Sequence, residues 1–210
     1  MEIRESHKNS RKVYGSPRIT EDLQANGTKC SENRVARLMR VNGIVARTVK
    51  KFKATTDSKH NLPVAENLLN QNFVAEKPNT VWVSDITYVW TLEGWLYLVV
   101  ILDLYSRQVV GWAMSDRLTS DFAIKALYQA LGRRNPGSCC IFHSDRGVQY
   151  ASSDFREALG SFGFIQSMSR KGNCYDNAVA ESFFHTLKVE HVYDYRYETR
   201  ADARQSIFFY

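Results

Sequence analysis

Three acids in this 210-residue chain have the types and spacing to do chemistry. Asp85 sits between Val83 and Ile86, inside the alternating string Val81–Trp90. A charge within such an apolar stretch is costly unless it is paired or metal-bound. Asp145 directly follows the short apolar run Cys139–His143, and Glu181 lies near the start of the last helical pattern. Hard carboxylate oxygens suit Mg²⁺, and few carboxylates are needed to hold it. Two such ions, about 3.5–4 Å apart, can activate an attacking oxygen and stabilise a leaving one at a phosphodiester. Asp85, on the central strand, is the acid placed to bridge both ions. Each acid also has an ordinary reading: a hydrogen-bonded strand Asp, a turn Asp before Arg146-Gly147, and a solvated helix Glu. Asp103 is the main decoy, an acid in an apolar run that reads as structural near a turn.

The elements that must carry these acids begin at Val81. The string VWVSDITYVW alternates and is rich in β-branched and aromatic residues, which predicts a strand. Glu93-Gly94 is a turn, and WLYLVVILDLY is a continuous apolar run of the kind buried on both faces. QVVGWAM gives a third strand, so the three form an antiparallel meander. A helix over 121–131 with Ser120 as its cap, a strand CCIFH, a helix over 151–161, a strand over 164–168 and a helix over 178–192 follow. The order βββαβαβα predicts an α/β fold, a mixed sheet flanked by helices.

Residues 1–45 read as helical. Pro17 suits a helix first turn, Asn26-Gly27 and Asn42-Gly43 are stops, and Ser31 is an N-cap. Val35, Leu38 and Met39 make one apolar face, while Arg34, Arg37 and Arg40 line another. Two helices around an Asn-Gly turn with an arginine stripe resemble a helix-turn-helix reader, although a simple solvated hairpin has the same pattern. Residues 1–60 carry a net +8 and residues 61–210 a net −2, so a basic arm precedes a near-neutral core. That asymmetry points to a polyanionic partner. The expected organisation is a helix-turn-helix-like module over 1–45, a basic linker over 46–79 that includes Arg47, Lys50, Lys51 and Lys53, and a catalytic core over 80–210. No stretch is apolar and long enough to span a membrane. The N-terminus lacks a signal-peptide core. The four cysteines show no paired metal or disulfide spacing, and a cytoplasmic location is expected.

Asp145 and Glu181 are separated by 35 residues, the D-D-(35)-E spacing of retroviral-integrase-like transposases. The strings Val81–Tyr88, Leu102–Arg107, His143–Tyr150 and Gly172–Phe184, with Tyr14–Ile19 near the N-terminus, resemble the insertion-sequence-three family and its catalytic B-frame proteins. The resemblance implies an RNase-H-like, retroviral-integrase-like core with a five-stranded mixed sheet. It implies Asp85, Asp145 and Glu181 as the metal-binding triad for two Mg²⁺ ions, with Mn²⁺ able to substitute. It implies a polynucleotidyl transferase that frees a 3′-hydroxyl at an element end and transfers it to another phosphodiester, with no covalent enzyme–DNA link.

The partners implied are terminal-repeat and target DNA at the bacterial nucleoid, and at least a dimer when two ends are synapsed. Lys188, seven residues past Glu181, projects from the same helix face, and relatives carry a DNA-contacting Lys or Arg there. Asn177, one turn before Glu181, is placed to orient the carboxylate or touch DNA. Arg170 and Lys171 form a basic loop within reach of the phosphate backbone, and His143 is either a site residue or a structural one. Family members continue past this point with a helix and a basic, aromatic segment. A chain ending at Tyr210 is therefore expected to be truncated, the alternative function being an inactive relic that binds element ends.

Overall fold

The structure is a computed structural model that describes residues 2–47 and 60–210. The run Lys50, Lys51 and Lys53 lies outside the described residues. The chain divides into two compact units, one built on residues 2–47 with 186–195, the other on 60–185 with 196–210.

In the first unit, α1 (Glu2–Asn9), α2 (Ser16–Ala25) and α3 (Glu32–Val41) close around Ile19, Leu23, Val35 and Met39. Pro17 sits in the first turn of α2, where its missing N–H costs nothing. Ser31 caps α3 by accepting the Arg34 N–H at 3.4 Å. The buried Val35 and Met39 face the core with Leu38 half-buried at their side, while Arg34, Arg37 and Arg40 are all exposed. Asp194 receives Arg47 and Arg11, and Glu190 receives Arg18.

The second unit is built on a five-stranded sheet of order β3-β2-β1-β4-β5. β1 (Val81–Thr91), β2 (Gly94–Asp103) and β3 (Val109–Ser115) run antiparallel, as the three alternating strings predict. β4 (Ile141–Ser144) joins β1 in parallel, and β5 (Ile165–Met168) joins β4 in parallel. Both parallel joins need a crossover. α4 (Ser120–Arg134) provides the first and the pair α5 (Val148–Ala151) and α6 (Ser153–Ser161) the second. Trp82, Ile101, Leu127, Phe142, Tyr150 and Phe155, each 0% exposed, form the centre of the core between the sheet and these helices. On the other face, the ring of Phe208 from α8 (Arg200–Phe208) meets Trp112 of β3 with 5.8 Å between centroids.

Local chemistry moved several boundaries. The helix expected from 121 starts at Ser120 itself, with Thr119 in the cap position and no side-chain bond there. It runs on to Arg134 and is stopped by Asn135 in the left-handed region at φ 42°. The strand expected from Cys139 begins at Ile141, because Cys139 has φ 73° and cannot join a ladder. The single helix expected over 151–161 is two pieces: Ser152 is extended and caps α6 by accepting the Phe155 N–H. Residues 60–79, expected as linker, pack within the second unit, with Leu69 buried. The helix expected over 178–192, α7 (Ala178–Glu190), is shorter and is followed by a 3-10 turn at Val192–Asp194.

Candidate active site

Strand alternation sets which way Asp85 points. Trp82 and Ile86 belong to the core under α4–α6, and Ser84 bonds Tyr150 of α5 on that same side. Side chains alternate across a strand, so Asp85 faces the opposite side, level with Val100 of β2 and hence with Trp112 of β3. The parallel pairing of β1 and β4 then fixes its neighbour. Val83 is level with His143; Asp85 lies two residues further along β1, and Asp145 is the first residue past the end of β4. Adjacent strands lie about 4.8 Å apart, so the pairing of β1 with β4 brings the segments that carry the two acids next to one another. The Asp145 carboxylate accepts the Gly147 N–H at 2.9 Å, and both acids are half-buried.

Glu181 arrives from α7, one turn into the helix. Partial burial, then the negative charge of Asp145, raises its carboxyl above the ordinary glutamate value. Tyr150 reports the same field: burial first, then the charges of Asp145 and Asp85, push its phenol well above the ordinary tyrosine value. The three acids thus share one negative neighbourhood. Among the described residues, no three His, Cys, Asp or Glu side chains converge closely enough to grip a metal ion. Hard oxygen donors under mutual negative charge are a fitting donor set for Mg²⁺.

A polar framework behind the acids sets where each element ends. Ser84 donates its hydroxyl to the Val100 carbonyl at 3.0 Å, so the Tyr150 hydroxyl, at 2.8 Å, donates to Ser84 Oγ. His143, 0% exposed, bridges Ser167 of β5 at 2.9 Å and the Asp176 carbonyl at 2.8 Å. A carbonyl can only accept, so Nε2 carries the proton and Nδ1 accepts from Ser167. Burial lowers the His143 pKa below the ordinary histidine value, which keeps the ring neutral. Of the two uses open to His143, the geometry is that of a brace between β4, β5 and the entry to α7.

Of the residues expected to touch DNA, Asn177 and Lys188 are buried, and the exposed Arg170 is paired with a buried carboxylate. Asn177, 2% exposed, donates Nδ2 to the Ser84 carbonyl at 3.1 Å, next to Asp85. Its Oδ1 is buried without a hydrogen-bond partner. The side chain therefore ties the start of α7 to β1. Arg170 gives Nε and Nη2 to the Asp176 carboxylate at 2.9 and 2.8 Å. Lys188 is only 9% exposed. Lys171, Arg34, Arg37 and Arg40 are exposed. Asp103 is structural: its buried carboxylate accepts the Asn79 N–H, the Ser106 N–H and the Ser106 hydroxyl at 2.9, 3.0 and 2.7 Å.

Sequence reasoning passed over Asp176, Asn67 and Gln71. Asp176 is 0% exposed, and its carboxylate accepts from Arg170, Asn67 and Gln71. The available signal was an acid placed just before an apolar helix.

The sheet order and its two parallel crossovers, with Asp85 within β1, Asp145 just past β4 and Glu181 on α7, define an integrase-type core, accompanied by a helix-turn-helix-like unit. Residues 75–174 match the family model described as "Integrase core domain", residues 181–210 match a second model of that description, and residues 1–52 match "HTH-like domain". A 31 kDa insertion element IS600 protein of Shigella sonnei is 47% identical, over 97% of this chain and 75% of its own length. Transposase InsF for insertion sequence IS3A of Escherichia coli (strain K12) is 46% identical, over 96% of this chain and 70% of its own length. A chain of the simian T-cell lymphotropic virus intasome, solved in complex with PP2A regulatory subunit B56 gamma, has the same fold. Its TM-score is 0.51 at 20% identity, and the match covers 89% of this chain and 58% of that one. The chain belongs to the insertion-sequence-three family of transposases.

Proposed function

We propose that this transposase cleaves DNA at the ends of its insertion sequence and transfers the freed 3′-hydroxyl to another phosphodiester. Asp85, Asp145 and Glu181 hold the divalent ions, Mg²⁺ with Mn²⁺ as a substitute. When bound, a pair of such ions supplies activation of the attacking oxygen and charge neutralisation at the leaving one. The observation that carries this reading is the parallel pairing of β1 with β4, which puts β1, with Asp85, beside the end of β4, where Asp145 follows, with Glu181 in the field of Asp145. Asp85, on the central strand β1, would share in holding these ions with Asp145 and Glu181. The chain's other residues hold position: Tyr150 and Asn177 fix Ser84, and His143 fixes the turn ahead of α7.

The exposed stripe Arg34, Arg37 and Arg40 on α3 contacts the terminal repeats, and Lys171 contacts the phosphate backbone of the strand being cut. Two ends require at least two copies of the chain in the synapsed complex. No helix among the described residues is long and apolar enough to cross a membrane, and the site of action is the nucleoid in the cytoplasm.

The test is strand cleavage of a labelled terminal-repeat duplex with Mg²⁺ or Mn²⁺. Asp85→Asn, Asp145→Asn and Glu181→Gln should each lower the nicking rate at least about 100-fold, the scale of losing one preorganised electrostatic group. Unchanged nicking in any of the three removes that acid from the triad.

A further inference from the structure

The segment Glu66–Asn72 precedes the sheet in sequence, yet it is bonded to the far edge of it. Met168 of β5 donates its N–H to the Glu66 carbonyl at 3.3 Å, and the Leu68 N–H goes to Ser167 Oγ at 2.9 Å. Leu69 is buried beneath. From this strap Asn67 donates Nδ2 to Asp176 Oδ2 at 2.8 Å, and Gln71 donates Nε2 to Asp176 Oδ1 at 3.0 Å. With the Arg170 N–H, Nε and Nη2, five donors converge on one buried carboxylate. The backbone bends to make this possible. Asn70 and Gln71 both have positive φ, 45° and 66°, a conformation that non-glycine residues hold only where surrounding contacts over-determine it.

Asp176 in turn sits at the head of α7. Its carbonyl takes the His143 Nε2–H, and the next residue, Asn177, is bonded to Ser84 beside Asp85. The carboxylate is therefore the knot where the strap, the Arg170 loop, β4 and the entry to α7 meet. Glu181 lies five residues on, in the first turns of that helix.

We propose that Asp176 is the positioning residue for Glu181, and that the strap residues Asn67 and Gln71 are part of the metal-binding apparatus through it. The inference rests on Glu181 being a metal ligand. A group that orients a ligand through its hydrogen bonds typically changes metal affinity 10–100-fold. Asn67 and Gln71 act one step further back, so a change of about 3–10-fold is expected when both donors are removed.

The double variant Asn67→Ala/Gln71→Met removes both donors from a half-buried and an exposed position, so folding is spared. Mn²⁺ binding to the full chain on a terminal-repeat duplex is read from the loss of the free-ion electron paramagnetic resonance signal. Thermal melting without metal and duplex affinity without metal are measured beside it. The expected result is an Mn²⁺ dissociation constant raised about 3–10-fold, with melting and duplex affinity unchanged. Gln71→Lys, which retains a donor, should bind Mn²⁺ as the parent does. Glu181→Gln is the control. If Glu181→Gln leaves Mn²⁺ binding intact, the triad reading fails and this one falls with it. If Glu181→Gln weakens binding while the strap variant does not, the triad stands and the strap proposal is overturned. A strap variant that melts early but binds Mn²⁺ normally makes the strap a purely structural tie and also overturns it.

Discussion

Gly111 sits in β3, level with Ile101, directly beneath α4. A methyl group at this position would lie 2.3 Å from the Ala126 carbonyl oxygen, 2.7 Å from Ala130 Cβ and 3.0 Å from the Ala130 nitrogen. Carbon and oxygen atoms without a bond between them rest more than 3 Å apart, so α4 must move off the strand by close to an ångström. Two of the three contacts are helix backbone, which no rotamer change relieves. Ala126 and Ala130 are both 0% exposed, so the shift opens packing along the whole α4 interface. Overpacking costs about 1–3 kcal/mol, and rigid backbone contacts put Gly111→Ala at the top, about 3 kcal/mol. At about 2–4 °C per kcal/mol for a domain of this size, the melting temperature should fall by roughly 6–12 °C in a thermal scan followed by circular dichroism. Adding Ala130→Gly removes the 2.7 Å contact and leaves the 2.3 Å one, so it should restore less than half of the loss. A fall of under about 2 °C, or full recovery by Ala130→Gly, would refute the close packing of β3 on α4.

The remaining predictions follow from single observations. Burial, then the charge of Asp103, pushes the Cys140 thiol up to about 12, whereas Cys139 is exposed. A maleimide at pH 8 should modify Cys139 and spare Cys140 in the native protein, as read by peptide mass spectrometry. Equal labelling of the two would contradict the burial. Arg34→Ala with Arg37→Ala should weaken binding to a terminal-repeat duplex and reduce the log–log salt slope by about 2, one unit per lost phosphate contact. An unchanged slope removes α3 from the DNA contact. His143→Phe keeps the ring volume and strips the Asp176 carbonyl of its donor. It should cost about 1–3 kcal/mol in urea unfolding, and no loss would mean that the Nε2–H bond is not there.

Much of the second unit was readable from pattern. The alternation of Val81–Trp90 and the apolar run after Trp95 predict β1 and β2, and the meander they form is the observed one. The same alternation places Asp85 on one face and Ser84 on the other. What sequence could not supply is the parallel register of β1 with β4, because residues 83 and 143 are brought level by a crossover rather than by a turn. The break at Cys139 was also hidden, since a cysteine does not announce a positive φ, whereas the one at Ser152 carries the N-cap signal of a serine. α8 escaped because its apolar positions do not follow a helical stripe, and its start depends on a capping box between Thr199 and Asp202. Asn67 and Gln71 read as polar linker. Nothing in local pattern says that a side chain will meet a carboxylate more than 100 residues away.

The three acids are held by two different kinds of force, and that difference has consequences. Asp85 is placed by the register of β1, where a one-residue slip would turn it into the core, and Asp145 by the turn just past β4, where its carboxylate accepts the Gly147 N–H. Glu181 is placed by a helix whose entry depends on side-chain hydrogen bonds: Asn177 to Ser84, the His143 bond to Asp176, and Asp176 to Arg170, Asn67 and Gln71. Such bonds contribute about 1 kcal/mol each, so this is the adjustable side of the site. Partial burial, then the charge of Asp145, raises the Glu181 pKa on this side of the site. On the proposed reading of Glu181 as a metal ligand, the polar framework behind α7 sets its position, so substitutions at Asn67 and Gln71, more than 100 residues away in sequence, are expected to tune metal affinity before they disturb the fold.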